Sequence, residues 1–152
     1  MRHAALLLFL VACGSDPAPT VSIVSASPDT LVLSSDTRDD LTIVVRYADD
    51  DADLGGGTAT VHDCRAEGFA ASLEIPRIAS DQGLREEVPI AGTLSLIVAD
   101  IGEVTPAAAA PAACAELGAP APAPGSAVFC VVLTDAADHE GPGDCTSAIT
   151  LQ

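Results

Sequence analysis

Apolar residues recur at every second position of this chain, in short runs broken by turn residues. That period constrains the fold more than any other feature. Leu41, Ile43, Val45 and Tyr47 share one parity, while Thr42 and Arg46 hold the other. Successive side chains of a strand point to opposite faces, so the pattern predicts a half-buried β-strand. The same alternation runs through Val21 and Ile23, Leu31 and Leu33, Ala59 and Val61, Leu73 and Ile75, Leu94, Leu96 and Val98, and Ile149 and Leu151. The segment from Ala127 to Thr134 is almost wholly apolar, which predicts a strand covered on both faces. Seven or eight short strands separated by turn signals predict an all-β, two-sheet sandwich. Only Pro111–Leu117 reads as helix: it is alanine-rich and is followed by Gly118, a residue suited to a helix C-cap. Ala119 to Gly125 then alternates Pro and Ala, as a stiff extended linker does. Residues 102–126 are expected to form one long crossover carrying that helix.

Charge narrows the partners. The 152-residue chain has 22 acidic residues and six basic ones, all arginine, for a net charge of −16. Such a surface repels nucleic acid and anionic headgroups, and it suits cations, basic partners or plain solvation.

The first residues read as an address. Arg2 supplies a positive start, Ala4–Val11 an apolar run too short to span a bilayer, and Ala12 a slim side chain before Cys13. Leu10-Val11-Ala12-Cys13 resembles the lipobox of bacterial lipoproteins. The resemblance implies cleavage before Cys13, acylation of that cysteine, and a mature chain whose formal charge falls to −17 once Arg2 is removed. Residues 1–12 are then the signal peptide, 13–19 the lipidated cysteine and its tether, and 20–152 the sandwich domain. By analogy with lipoprotein sorting, Gly14 in place of an aspartate points to the outer membrane rather than the inner one. The tether spans about 20 Å at most, at roughly 3.3–3.6 Å per residue.

The body of the chain resembles bacterial immunoglobulin-like surface modules. The likeness rests on Leu41–Asp49, which is similar to the second strand of such domains, and on Val128–Asp138, which is similar to their penultimate strand and the loop after it. The chain has no tryptophan, so the core tryptophan of antibody domains is absent.

Four cysteines remain beyond Cys13: Cys64, Cys114, Cys130 and Cys145. An even count in an exported chain points to two disulfides, and no C-x₂-C pair offers a zinc site. Four cysteines allow three connectivities. In the immunoglobulin-like order, Cys64 ends a strand at the same end as the crossover that holds Cys114, and Cys130 and Cys145 lie on neighbouring strands. The expected pairs are therefore Cys64–Cys114 and Cys130–Cys145.

Two acidic loops form the candidate site. Asp49, Asp51 and Asp53 resemble the D-x-D-x-D opening of an EF-hand, but Leu54 stands where the turn glycine belongs and Thr60 where the bidentate glutamate belongs. In the immunoglobulin-like order this loop and the one bearing Asp135, Asp138, Glu140 and Asp144 share one end of the sandwich. Two readings stay open: a Ca²⁺ cage drawn from Asp49, Asp51, Asp53, Asp135, Asp138 and Glu140, or two solvated acidic loops. No G-x-S-x-G elbow, H-E-x-x-H pair or phosphate-cradling loop occurs. The expected function is that of a lipid-anchored, non-enzymatic envelope protein with a binding or structural role towards a protein or surface polymer. A calcium-dependent adhesion or matrix module is the alternative, and a polysaccharide hydrolase with paired carboxylates is the third.

Overall fold

Strands form where the alternation places them. The structure is a computed structural model that describes residues 17–34, 38–77, 88–121 and 123–152. Cys13, the apolar run before it and the first tether residues lie outside the described residues. In chain order the elements are β1 (Thr20–Ser27), β2 (Thr30–Leu31), β3 (Asp39–Asp49), β4 (Thr58–Asp63), β5 (Ala70–Glu74), β6 (Ile90–Ile101), α1 (Ala112–Glu116), β7 (Ser126–Ala127), β8 (Phe129–Thr134), β9 (Asp144–Cys145) and β10 (Ile149–Leu151). The all-β expectation holds, with one short helix inside the crossover. Gly118 follows that helix at φ +80°, a backbone conformation that glycine adopts without a Cβ clash. No helix among the described residues is long and apolar enough to cross a membrane.

Sheet organisation departs from the expected count. Among the described residues, ten strands form three sheets, ordered β1-β3-β6, β5-β4-β8-β9 and β2-β10-β7. The extra strands come from a change of partner that side-chain period does not report. Ser126 and Ala127 pair with β10, whereas Phe129 onward pairs with β4. Between them Val128 gives its carbonyl to Cys64 N at 3.0 Å. β9 is only two residues long, too short to show a period, and sits beside β8 with Cys145 opposite Cys130.

One core joins the two larger sheets. Leu41, Ile43 and Val45 of β3 and Leu96 of β6 pack in a single cluster with Ala59 and Val61 of β4 and Phe129, Val131 and Leu133 of β8. The other parity of β8 serves a second, smaller cluster, in which Cys130 joins Cys64 and Cys114, with Leu117, Ala119 and Cys145 around them. Burial of β8 on both faces therefore follows from the crossover folding back over it.

The cysteines bond as expected: Cys64 to Cys114 with Cα atoms 5.7 Å apart, and Cys130 to Cys145 at 4.0 Å. Asp144, counted in the second acidic loop by its position, has a structural task. Its carboxylate accepts Ile23 N at 2.7 Å, where β1 bulges between Ile23 and Ser25, and Cys145 N at 2.9 Å.

The Cys64–Cys114 bond closes 50 residues and Cys130–Cys145 only 15. Chain entropy then gives about 4 kcal/mol for the first bond and about 3 kcal/mol for the second. We expect the double variant Cys64→Ser/Cys114→Ser to lose more stability than Cys130→Ser/Cys145→Ser in urea unfolding, and non-reducing peptide maps of the parent to show only these two cross-links.

Candidate metal centre

Parity carries two acids into the interior. Leu41, Ile43 and Val45 face the core, and two further steps along β3 bring Asp49 to the same face, where it is 1% exposed. Its Oδ2 accepts Leu54 N at 2.8 Å, which closes the loop and sets Leu54 into the core. Its Oδ1 is buried with no hydrogen-bond partner. Ala52 takes φ +65°, so the chain doubles back sharply within the acidic run. Asp51 and Asp53 are half-buried. One carboxylate oxygen from each of Asp49, Asp51 and Asp53 falls within 4.8 Å of the others.

The same rule acts at the end of β8. Phe129, Val131 and Leu133 face the core, and Asp135 follows them at 2% exposure. Its Oδ1 accepts Ala137 N at 2.9 Å and His139 N at 2.8 Å, an arrangement that shapes its own loop. Its Oδ2 lies 3.2 Å from His139 Nδ1.

The two loops dock on each other. Ala136 N donates to Asp53 O at 3.1 Å. Gly57 admits the close approach: a Cβ there would lie 2.1 Å from Thr134 O and 2.8 Å from Asp135 Cα. The chain start joins the same end, since Thr20 pairs with Ala48 and a Cβ at Gly141 would strike Pro19 O.

Crowding these carboxylates is costly. Burial, and then Asp51 beside it, raise the Asp49 carboxyl above its ordinary range. Asp53 is pushed up to about 6 by burial first, then by the charges of Asp135, Asp51 and Asp49. A set of hard oxygen donors with excess negative charge is suited to a divalent cation such as Ca²⁺.

Of the six acids expected in a cage, the structure thus gathers Asp49, Asp51 and Asp53, with Asp135 next to Asp53. Asp138 and Glu140 are exposed: Asp138 N donates to Asp135 O at 3.3 Å and Glu140 bridges to Thr134. The sulfur atoms of Cys64, Cys114 and Cys130 also lie within 4.8 Å of one another, but disulfide bonding removes them as thiolate ligands. At the other end of β4 a groove of about 310 Å³ is lined by Arg38, Phe69, Gly102 and Phe129, with Asp63 and Arg65. Nothing in the residue pattern marks Arg65 for burial. It is 2% exposed, pairs with Asp63 Oδ2 at 2.6 Å, and donates to Gly102 O at 3.0 Å, so its charge is spent inside the fold. Comparison of the chain with protein-family models, with curated proteins and with solved structures finds no match.

A carboxyl raised from 3.8 to about 6 on folding binds more protons folded than unfolded, so its cost to stability is full above about pH 6 and is lost as pH falls towards 3.8. The groups facing Asp53 are Asp49, Asp51 and Asp135, with His139 against Asp135. In chelator, Asp53→Asn is expected to be more stable than the parent at pH 7 by of order 1 kcal/mol, allowing for its partial exposure. The gap should close by pH 4; urea unfolding across that range checks it. Gly57→Ala should destabilise at every pH, because its methyl meets backbone that has no room to retreat.

Proposed function

We propose that this chain is a lipid-tethered protein of the cell envelope, built on an immunoglobulin-like module and serving a binding or structural role rather than a catalytic one. The observation that carries the export half is the pairing of all four body cysteines into two disulfides, one of which holds down the crossover. Such bonds persist in an oxidising compartment, which agrees with the export signal that ends at Cys13. The tether then fixes the protein on a membrane surface, because acyl chains contribute about 0.8 kcal/mol per buried CH₂. The outer membrane is the compartment this reading assigns, on Gly14.

Strand order supports the immunoglobulin-like part. In such domains the first, second and fifth strands share one sheet, and the third, sixth and seventh share the other. The orders β1-β3-β6 and β5-β4-β8-β9 follow that division for those six strands, while β5, the fourth, pairs with β4 in the second sheet rather than joining the first, and β2 lies parallel to β10. The placing of the acids supports the binding role. Asp49 and Asp135 each spend an oxygen on the backbone of their own loop, an arrangement that fixes loop shape. The partner class is a protein or a surface polymer with cationic groups, since the charge repels polyanions.

Intact-mass spectrometry of detergent-extracted protein tests the anchor. The mature chain is expected to begin at Cys13 with added acyl mass, and Cys13→Ala to accumulate as the uncleaved form. A released chain with a free N-terminus at any other residue would reject the proposal.

A further inference from the structure

We infer that the pocket formed by Asp49, Asp51 and Asp53 is a Ca²⁺ site and that the ion locks the loop after β3 onto the loop after β8. The inference rests on local geometry and does not depend on the lipid anchor.

Three observations combine. First, one oxygen from each of the three carboxylates falls within 4.8 Å of the others, which is the span oxygens occupy around a single Ca²⁺ at about 2.3–2.6 Å. Second, Asp49 of that cluster is 1% exposed, and its Oδ1 is buried without a hydrogen-bond partner, while its Oδ2 is held by Leu54 N. A buried carboxylate oxygen with no donor is costly, and a bound cation satisfies it. Third, the donors are all hard oxygens from alternate positions 49, 51 and 53 of one tight loop, with no free sulfur among them. That set favours Ca²⁺, which accepts an irregular shell completed by backbone oxygens and water, over zinc or copper. Mg²⁺ demands a near-ideal octahedron and gives up its own water reluctantly.

The second loop is coupled without being a ligand loop. Asp53 passes its backbone oxygen to Ala136 N at 3.1 Å, and the Asp135 charge acts on the Asp53 carboxyl. An ion that draws Asp53 towards Asp49 and Asp51 also relieves its repulsion from Asp135. Both loops are then stiffened by one binding event.

The test uses the purified full chain, stripped with chelator. Isothermal titration with CaCl₂ is expected to show one ion per chain, and saturating Ca²⁺ to raise the melting temperature by about 5–10 °C at a hundredfold excess over the dissociation constant. Asp51→Asn and Asp53→Asn should lose both responses, while Asp138→Asn, in the exposed part of the second loop, should keep them. Asp49→Asn is a weaker probe because that side chain also closes the loop. Amide exchange at Ala136 should slow with Ca²⁺ in the parent and not in Asp51→Asn. An equal melting shift from Mg²⁺, or from NaCl at matched ionic strength, would mean screening of the net charge and would overturn the site. So would a Ca²⁺ response retained in both Asp51→Asn and Asp53→Asn.

Discussion

β8 is buried on both faces, and that double burial organises the molecule. Phe129, Val131 and Leu133 fill the core between the larger sheets, while Cys130 meets the disulfide cluster under the crossover. An apolar strand of this kind is stable only if something covers its second face. Here the cover is the turn of helix and extended chain between β6 and β7, pinned through Cys114 to Cys64 at the end of β4. The segment before β9 closes the rest: a Cβ at Gly143 would come within 2.9 Å of Leu117 Cδ2, Val131 O and Val132 Cγ2, so only a glycine lets the chain lie that close. Covalent bonds, short apolar contacts and a glycine approach thus hold one strand from both sides.

The acidic end depends on that strand too. Because β8 keeps its core-facing parity to its last residue, Asp135 is delivered into the interior, and β3 does the same with Asp49. Each acid is partly satisfied by backbone amides of its own loop. Asp51 and Asp53 add charge beside them, and burial first, then the charges of Asp135, Asp51 and Asp49, raises Asp53 towards neutrality. Packing and electrostatics are opposed here: burying the loops costs charge repulsion, and a counter-ion of the right size removes it.

Much of this was legible in the residues. Alternation located β1, β3, β4, β5, β6 and β10, an almost unbroken apolar run located β8, and an alanine-rich stretch closed by glycine located α1, because each of these signals is local. The cysteine pairs were legible only through the topology that the immunoglobulin-like likeness supplied. Partner exchange at Val128 and the two-residue β9 were not legible, since neither alters side-chain period. For the site, the aspartates were visible as a run of charge, but the buried members were hidden in plain view. Counting on by two from Val45 reaches Asp49, and from Leu133 reaches Asp135. Reading strand parity past the last apolar residue would have separated these two from Asp138 and Glu140, which lie exposed.

The position of the chain start has a consequence for orientation. Pro19 is buried against Gly141, and β1 opens opposite Ala48, so β1 begins beside the acidic loops. A protein held at Cys13 would therefore stand with its buried-aspartate loops towards the lipid and its Arg65 end outward. Six residues separate Cys13 from Thr20, a reach of about 20 Å, only two to three Debye lengths at physiological ionic strength. Anionic headgroups would push such a body away from the bilayer and stretch its leash, whereas divalent ions shared between the loops and the headgroups would let it settle. Stand-off height would then report the ionic composition of the water layer above the membrane.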